Sequence, residues 1–586
     1  MAPAFADVVI VGGGPVGLLI AYQLARFGCV PYLMEQDDKT TMPCYGRAST
    51  FWPRTIEMLD QLDLFDRLMQ TGVVTRNSLH FRNGQRDTFF KFSLHLRQRL
   101  TEEQFAEALA ENGVEQHMPQ RIESFAIDET AADGYPITVH ARDLVKDEVA
   151  EVKTQVIPLP TAADGYPITV HARDLVKDEV LEVKTKYLVG ADGGKSTVRS
   201  LTNISFMGER TTHRWVRMDA RVHTNMPNPR CLNSIDSASH GQILWCPIDN
   251  GLTRIGYVFS EALLEKYGGV EGVTQDVAVE EAKAALAPFE VEFQQVEWFT
   301  IYGIGQAIAA SFWMNERIFL AGDACHTHSS GSAQGLNTGI HDAVNLAWKL
   351  ALVIRGFANK SLLETYDLER RPSVQQVIDN DKVISILISG HYPPRFEGRK
   401  EHPHDLLIEW YTDAAVQLFT LGLGISYPVN MINRTGDASA ATISPGQRGP
   451  DVFLNTIGTN DPIRLHSALK NDAKFSVVIF AGKTSSTQNS LAPLQAALSS
   501  CMNPSWKRVV KFVTIAASSG NGAVDVLGRG VWGRVFWDPD GRAHGIYGVD
   551  DERGAMVVFR PDGWIGCVLG LSGIKALEDY FDIFMA

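Results

Sequence analysis

Cysteine is scarce in this chain, and the cysteines that are present lie far apart. The seven cysteines are odd in number and none belongs to a C-x-x-C pair. This argues against a disulfide framework, a thioredoxin-type redox motif and a zinc ribbon. The chain also lacks an uninterrupted run of the roughly 20 apolar residues that span a bilayer, and its first residues lack the basic segment of a secretory signal peptide. These absences predict a cytoplasmic protein without membrane association.

An excess of basic residues is absent as well. The 54 Lys and Arg residues are outnumbered by 68 Asp and Glu residues, which gives a formal net charge of −14. Because nucleic-acid binding depends on clustered positive charge, this balance argues against a nucleic-acid partner. The chain has 586 residues, 45% of them hydrophobic, and is therefore long enough to form several domains with buried cores.

Glycine is abundant, and three glycines near the start form a nucleotide-binding pattern. Gly12-x-Gly14-x-x-Gly17 follows a strand-like run at residues 7–11 and opens a segment with helical periodicity. The first glycine permits a tight turn, the second lets the backbone approach a pyrophosphate, and the third allows close packing of helix on strand. Glu35 ends the next strand, where it would bind a ribose diol and disfavour a 2′-phosphate. The pattern suits the ADP half of FAD or NAD better than NADP.

Two later stretches bear on the choice between FAD and NAD. The first contains Asp192 within Gly-Ala-Asp-Gly-Gly. In the second, a strand delivers Asp323 to its end, and Gly335-Leu336-Asn337 then opens a helix. The Asp323 carboxylate could hold a ribityl hydroxyl, and the helix N-terminus would face the pyrimidine edge of a flavin. Such a terminus favours the negative charge that a reduced flavin carries there.

With these motifs in order, the chain resembles the class A, single-component FAD-dependent aromatic hydroxylases. It is most similar to their phenol 2-monooxygenase branch. The three glycines match the FAD fingerprint, Asp192 and Asp323 match the DG and GD motifs, and Gly46-Arg47-Ala48 is similar to a flavin-contacting loop. The resemblance implies that the following residues bind the cofactor: Gly12, Gly14, Gly17, Glu35, Gln36, Arg47, Asp192, Asp323, Gly335, Leu336 and Asn337.

The resemblance also implies a fold and a domain order. We expect an α/β protein with a Rossmann-like FAD-binding domain of the para-hydroxybenzoate hydroxylase type, a mixed β-sheet substrate domain and a C-terminal thioredoxin-like domain. The expected ranges are 1–205 plus 313–375 for the discontinuous FAD-binding domain, 206–312 for the substrate-binding sheet, 376–444 for a helical connector and 445–586 for the thioredoxin-like domain. Ser444–Pro450 is rich in proline and glycine, which independently favours a boundary there.

The implied activity is that of an FAD-dependent monooxygenase. The resemblance implies that non-covalent FAD, NAD(P)H and O2 hydroxylate a phenolic or polyketide-type aromatic substrate through a C4a-hydroperoxyflavin, in a protein that forms a homodimer. Other flavin oxygenations, such as Baeyer–Villiger insertion or oxidative dearomatisation, would leave the same motifs. A catalytically silent flavin-binding protein is the alternative from a different class.

The candidates for catalysis are Tyr257 and Arg254, on one predicted strand. The family places a tyrosine near the flavin on the equivalent strand, and a nearby arginine could favour a phenolate. A tyrosine packed in the core and a solvated arginine are the structural alternative. The chain departs from the branch at Ser49, where phenol hydroxylases tend to have Asp, and at Ser330, where Pro often follows His-Ser. Ser49 argues against phenol deprotonation by that position.

Three neighbouring residues of the GD loop have side chains that can bind metals. Cys325, His326 and His328 are close in the chain, but a zinc site needs three or four ligands that converge in space. Their position within a flavin-binding motif favours a structural loop, and no metal site is predicted.

An internal repeat interrupts the first domain. Residues 130–149 recur without change as residues 161–180, at an offset of 31 positions. Two copies are too few for a solenoid, and each copy has the pattern of a β-hairpin. The second copy runs directly into the DG strand, so we predict that it is built into the FAD-binding domain. The first copy ends in a proline-containing stretch, which favours a loop or an addition at a sheet edge.

Overall fold

The structure is a computed structural model that describes residues 4–82, 85–127, 168–177, 179–500, 508–517 and 533–586. These residues form three β-sheets with helices packed on and between them. No helix within these ranges is both long and apolar enough to cross a bilayer.

The strands of the first two sheets are interleaved along the chain. They are β1 (Ala4–Val11), β2 (Pro31–Met34), β3 (Thr50–Phe51), β4 (Val73–Arg82), β5 (Gln85–His95), β6 (Gln116–His117), β7 (Gln120–Ile127), β8 (Ile168–Asp174), β9 (Glu179–Gly190), β10 (Phe206–Thr224), β11 (Leu232–Ser237), β12 (Gly241–Pro247), β13 (Thr253–Phe259), β14 (Val291–Ala309), β15 (Trp313–Met314), β16 (Ile318–Leu320) and β17 (His326–Thr327). The strands of the third sheet are β18 (Phe453–Thr456), β19 (Pro462–Arg464), β20 (Phe475–Gly482), β21 (Val510–Ala516), β22 (Arg534–Trp537), β23 (Ala555–Phe559) and β24 (Ile565–Leu569).

The α-helices of the described residues follow the same chain order. They are α1 (Pro15–Arg26), α2 (Pro53–Gln61), α3 (Phe65–Met69), α4 (Gln98–Glu111), α5 (Thr197–Leu201), α6 (Glu261–Lys266), α7 (Gln275–Ala285), α8 (Gln334–Ile354), α9 (Thr365–Ile388), α10 (Pro403–Thr412), α11 (Ala414–Thr420), α12 (Leu465–Ala468), α13 (Thr484–Ser500), α14 (Arg542–Tyr547) and α15 (Ile574–Asp582).

The first sheet has the parallel core of a nucleotide-binding fold. Its main order is β15-β16-β9-β1-β2-β6, and β1 runs parallel to both β2 and β9. Val8, Val9 and Ile10 of β1 are all fully buried, as expected for a parallel strand that helices cover on both faces. This arrangement brings the turn after β1, the end of β2 and the end of β16 to one edge of the sheet.

The second copy of the repeat forms the predicted hairpin within this sheet. β8 pairs antiparallel with β9 from Ile168 opposite Thr185 to Asp174 opposite Glu179. β9 then continues beside β1 as far as Gly190. On its other side β8 pairs with β7, so that Ile127 lies opposite Ile168. The first copy lies outside the described residues.

The second sheet has nine strands in the order β17-β14-β10-β13-β12-β11-β4-β5-β3. Its outer face packs against α7 in a hydrophobic cluster that includes Ala278 and Ala282. Its inner face is turned toward the FAD-binding domain. Strands β3, β4 and β5 enter it through the parallel pairing of β4 with β11. The sheet therefore extends beyond the predicted range 206–312 and includes part of the range 1–205.

Two long helices connect the sheets. Most residues of α8 are buried, because it packs on α1, α9 and the third sheet. Helix α9 crosses the predicted boundary at residue 376 without a break and contacts β14. The predicted helical connector therefore begins within a helix shared with the FAD-binding domain.

The third sheet, in the order β19-β18-β22-β21-β20-β23-β24, is the C-terminal α/β domain. Parallel strands β20, β21 and β22 form its centre, and β23 and β24 are antiparallel. Its core is continuous with that of the FAD-binding domain, because Trp348 of α8 lies edge-on to Phe475 with ring centroids 5.5 Å apart.

Candidate flavin and substrate site

The glycine-rich turn between β1 and α1 leaves open space at one position. Gly12 has a φ of +105°, and a Cβ there would lie 2.3 Å from the Ala191 carbonyl oxygen. A Cβ on Gly17 would lie 2.0 Å from the Gly12 carbonyl oxygen. Around Gly14, by contrast, nothing lies within 4 Å of the position of a Cβ. The backbone is therefore open to a ligand directly before α1, where free amides and the helix dipole favour phosphate.

Glu35 lies just after β2 and is nearly buried. Its two oxygens accept hydrogen bonds from the Gly13 N–H at 2.7 Å and the Asp37 N–H at 2.9 Å. Gly13 and Lys39 also line a cleft between the glycine turn and α4. Gln36 is exposed beside it. A cleft thus opens between the glycine turn and α4, close to the end of β2.

The loop that contains Arg47 is attached to the second sheet. Arg47 has a positive φ of 31° and an exposed side chain, and its guanidinium lies 5.0 Å from the centroid of the Tyr45 ring. Its carbonyl accepts a hydrogen bond from Arg254. Ser49 of the same loop is buried and accepts a second bond from Arg254 at 3.0 Å.

The GD loop presents one carboxylate to solvent and is held by another. Asp323 follows β16 and is exposed, and its carboxylate accepts no hydrogen bond from the described part of the chain. Beneath it, Asp342 of α8 accepts hydrogen bonds from the Gly322 N–H at 3.1 Å and from Arg370 at 2.8 Å, and bonds His326 at 2.7 Å. Sequence reasoning missed Asp342, although an acid on an otherwise apolar helix face was a usable signal.

The charges of this cluster favour a structural role over metal binding. Cys325, His326 and Asp342 are buried, and their potential ligand atoms lie within 4.8 Å of one another. Burial alone would raise the pKa of Asp342, but Arg370 and His326 outweigh it and hold the pKa below its ordinary value. Burial raises the pKa of Cys325 well above that of a free thiol. A cation here would have to displace these bonds beside the Arg370 guanidinium.

Asp192 of the DG motif is engaged by the protein itself. Its carboxylate accepts hydrogen bonds from the Ser196 hydroxyl at 2.6 Å and from the N–H groups of Thr197 and Val198 at 2.7 and 3.1 Å. It therefore satisfies free amides at the start of α5. Burial raises the pKa of Asp192. Arg199 donates to the Ala324 carbonyl at 2.6 Å, which joins the DG loop to the GD loop.

The start of α8 is tied to the loop that follows Ser49. The Asn337 side chain donates to the Thr50 carbonyl at 2.9 Å and accepts from the Trp52 N–H at 2.9 Å. Leu336 is buried, whereas a Cβ on Gly335 would have no neighbour closer than 4.0 Å. Of the three predicted residues here, Gly335 leaves room for a ligand and Asn337 positions the surrounding backbone.

The predicted catalytic pair is not brought together. Arg254 faces inward, where it binds Asp219 with contacts of 2.7 and 2.8 Å. Tyr257 points to the outer face and donates to the Ala278 carbonyl of α7 at 2.7 Å. Residues three positions apart on a strand lie on opposite faces, so the two side chains cannot act on one substrate. Tyr257 is a core residue beneath α7.

Sequence reasoning also missed the residues that do share the inner face with Arg254. Arg217, Trp215 and Tyr302 lie there, because Arg217 pairs with Gly256 of β13 and Trp215 pairs with Tyr302 of β14. Ser330, from the loop before α8, donates to or accepts from Tyr302 and bonds Arg217 at 2.9 Å. The substitution of the branch's usual proline by Ser330 was the only sequence signal for this contact.

Comparison with known protein families agrees with this geometry. Residues 5–381, more than half of the chain, match a family described as FAD binding domain. The chain belongs to this FAD-binding family. Residues 529–586 match a second family, described as phenol hydroxylase, C-terminal dimerisation domain.

Two curated relatives are similar over nearly their full length. One is the phenol 2-monooxygenase fsqG of Aspergillus fumigatus, 28% identical over 98% of this chain and 96% of the relative. The other is the 3-hydroxybenzoate 4-monooxygenase of Comamonas testosteroni, 27% identical over 100% of this chain and 95% of the relative. The family and these relatives confirm the predicted FAD cofactor and the flavin-dependent monooxygenase class.

Solved structures show the same fold. The OxyS anhydrotetracycline hydroxylase from Streptomyces rimosus aligns with a TM-score of 0.67 and 24% identity, over 98% of each chain. A ternary complex of aklavinone-11 hydroxylase with FAD and aklavinone aligns with a TM-score of 0.69 and 19% identity, over 99% of each chain. The predicted fold class is confirmed.

Proposed function

We propose that this FAD-dependent enzyme uses NAD(P)H and O2 to hydroxylate a phenolic or polyketide-type aromatic compound. One observation carries the proposal: two loops of the flavin site touch the inner face of the second sheet. The Arg47 carbonyl bonds Arg254 of β13, and Ser330 before α8 bonds Arg217 of β10. A ring held on that face would be next to the flavin site.

The chain's own residues offer a site that fits FAD. Gly12, Gly14 and Gly17 shape the turn that would receive the pyrophosphate, and Glu35, which bonds the Gly13 N–H, would lie beside the adenosine half. The exposed Asp323 carboxylate is available to a ribityl hydroxyl. Arg47 and Gly335 border the space for the ring system, while Asp192 and Asn337 act by fixing the loops.

FAD, when bound, supplies the redox chemistry that links oxidation of NAD(P)H to reduction of O2. The protein's part is to position the substrate ring and to exclude water. Trp215, Val258 and Ile304 are buried together on the inner face, with Tyr302 packed against them. An aromatic ring packed against this apolar cluster would be shielded from water.

Product analysis with isotopic oxygen tests the proposal directly. The FAD-loaded protein should oxidise NADH or NADPH faster in the presence of a productive phenol or phenolic polyketide. Under 18O2 the product should contain one labelled oxygen atom that the substrate lacks. Ring hydroxylation, lactone formation and loss of aromaticity are distinguished by the fragmentation of the product.

A flavin-containing protein that forms no oxygenated product with any phenol in such a screen would contradict the proposal and support a catalytically silent protein. Heat-treated enzyme is the control for non-enzymatic oxidation. Protein that binds no FAD would contradict the cofactor assignment as well.

We also propose that the protein is a homodimer. The match of residues 529–586 to a family described as a dimerisation domain supports this. Light scattering coupled to size exclusion should give twice the chain mass of 64.6 kDa. A monomer at micromolar concentration would contradict the proposal.

A further inference from the structure

Arg217 lies in an unusual position on the inner face of the second sheet. It is 8% exposed, and its guanidinium lies across Gly256, where a Cβ would be 2.2 Å from Nη1. Nη1 donates to the Val216 carbonyl at 3.1 Å, and Nη2 donates to the Ser330 hydroxyl at 2.9 Å. Both acceptors are uncharged, so the cation is solvated by neutral groups alone.

Most of the other buried arginines in the described ranges are compensated by carboxylates; Arg199, which bonds the carbonyls of Ala324 and Gly194, is the exception. Arg97, Arg254, Arg370 and Arg560 each form an ion pair with an Asp or Glu within 3.0 Å. Within the described ranges Arg217 forms no ion pair, and both oxygens of Asp219, the acid two residues further along β10, are bound by Arg254. A buried charge without a counter-charge is unfavourable.

The pKa values of the two arginines on the inner face are shifted in opposite directions. Burial would lower the pKa of Arg254, but Asp219 outweighs it and the pKa is raised. Burial lowers the pKa of Arg217, and the nearby Tyr302 and Asp219 do not offset it. The Arg217 site thus lacks a negative charge that the Arg254 site has.

The surroundings of Arg217 are aromatic as well as polar. Its guanidinium lies 5.2 Å from the centroid of the Trp215 ring. The Tyr302 hydroxyl meets the Ser330 hydroxyl that Arg217 binds. One cation and two hydroxyls are therefore next to an apolar cluster, at the boundary with the FAD-binding domain.

We propose that Arg217, together with the hydroxyls of Ser330 and Tyr302, binds an anionic oxygen group on the aromatic substrate. The group is a ring carboxylate or an ionised phenol, which supplies the missing negative charge while the ring lies against the apolar cluster. The inference rests on the proposed function, since it specifies the substrate class of the same site. Ser330 contributes a hydroxyl where the phenol 2-monooxygenase branch often has proline.

Matched probes on the FAD-loaded protein test this without turnover. The carboxylate arm compares 3-hydroxybenzoate with neutral 3-hydroxybenzamide, and the phenolate arm compares 4-nitrophenolate with 4-nitroanisole. Dissociation constants come from changes in flavin absorption, or from calorimetry where the change is small. We expect at least about tenfold tighter binding of the anion in one arm, as is typical of a hydrogen bond to a charged group.

Three variants assign that preference to the site. Arg217→Met should remove the preference, Arg217→Lys should keep part of it, and Ser330→Ala should reduce it severalfold. Arg221→Met is the matched control, because Arg221 lies on the same strand, is exposed and, among the described residues, bonds only the Asn250 carbonyl. Its anion preference should equal that of the wild type.

The outcomes separate this inference from the proposed function. Equal binding of anionic and neutral probes by the wild type, or an unchanged preference in Arg217→Met, would overturn the inference even if phenols are hydroxylated. If Arg217→Met does not hold FAD, an unchanged preference in Ser330→Ala and Arg217→Lys would overturn it. An Arg217-dependent anion preference without any oxygenated product would support the anion site and contradict the proposed function.

Discussion

Arg254 binds both carboxylate oxygens of Asp219, with Nε 2.7 Å from Oδ1 and Nη2 2.8 Å from Oδ2. Both side chains are buried. The remaining nitrogen of the guanidinium holds Ser49 and the Arg47 carbonyl. The pair is therefore an anchor for the loop that would contact the flavin, and the charge of Arg254 is already balanced.

Breaking this pair should destabilise the protein strongly. Asp219→Asn leaves Arg254 as a buried cation without a counter-charge, and we expect the free energy of unfolding to fall by about 3–5 kcal/mol. Asp236→Asn is the control, since Asp236 pairs with the more exposed Arg82 at 3.0 Å and should cost about 1 kcal/mol or less. Denaturant unfolding of both variants measures this. Similar losses of unfolding free energy in Asp219→Asn and Asp236→Asn would show that the buried pair is not an anchor.

Asp323 should be required for flavin retention. Asp323→Ala removes the exposed carboxylate of the GD loop, and we expect the purified variant to lose most of its FAD, because this carboxylate would bind a ribityl hydroxyl. Flavin absorbance relative to protein absorbance after dialysis measures occupancy. Asp379→Ala, at an exposed position of α9, should retain FAD. Full occupancy in Asp323→Ala would refute the role assigned to the GD loop.

Glu369 should make stability depend on pH in the acidic range. Burial would raise its pKa, but Arg560 and Lys349, at 2.6 and 2.9 Å, outweigh it and hold the pKa below the ordinary value. A carboxyl with a lowered folded pKa stabilises the protein above its unfolded pKa, about 4.3, and this contribution is lost as the pH falls.

The wild type should therefore exceed Glu369→Gln in unfolding free energy by about 3–5 kcal/mol at pH 7. The difference should shrink below about pH 5, as the unfolded chain takes up a proton that the folded wild type does not. Urea unfolding between pH 7 and pH 4 measures both quantities. A difference that stays constant would show that Glu369 is not held ionised by its partners.

The C-terminal domain should work without thiol chemistry. Burial raises the pKa of Cys567 to about 11, so that its thiol stays protonated at neutral pH; Cys501 lies outside the described residues. We expect the double variant Cys501→Ser and Cys567→Ser to keep wild-type turnover, with a stability loss of about 1–3 kcal/mol for the buried hydroxyl. Loss of turnover in folded, FAD-loaded protein would contradict this.

Removal of the first repeat copy should preserve the fold. Deleting Thr130–Pro160 shortens the connection between β7 and β8, whose ends pair as Ile127 opposite Ile168. The connection loses roughly two doublings of length, and since each doubling costs about 0.6 kcal/mol, stability should be equal or improved by about 1 kcal/mol. FAD content and thermal unfolding measure the outcome. An insoluble or flavin-free protein would show that the first copy is integral to the fold.

The sequence allowed prediction of those parts of the site that depend on short, continuous segments of the chain. The turn at Gly12 to Gly17, the acid after β2 and the exposed Asp323 follow from strand, turn and helix patterns within a few residues. The assignment of Tyr257 beside Arg254 was avoidable, because an odd separation on a strand places two side chains on opposite faces. The alternation of side chains between the two faces of a strand is enough to exclude Tyr257 as a partner of Arg254.

The remaining features depend on pairings between distant segments. Arg217 meets Ser330 across 113 positions of sequence, and the pairing of β4 with β11 places residues from the first hundred in the second sheet. Asp342 bonds the GD loop, but the turn of α8 in which Asp342 lies contains no recognisable sequence motif. Such contacts depend on the register in which distant strands pair, and local patterns in one sequence do not determine that register.

Helix α8 meets the flavin site at one end and the C-terminal domain at the other. Asn337 in its first turn holds the loop after Ser49, while Trp348 and Lys349, three turns later, bond Asp562 and Glu369 in the buried network of Arg560. Contacts in the first turn and again three turns later therefore fix the position of α8. The position of Asn337, and of the loop that it holds, therefore depends on how the C-terminal domain packs against α8.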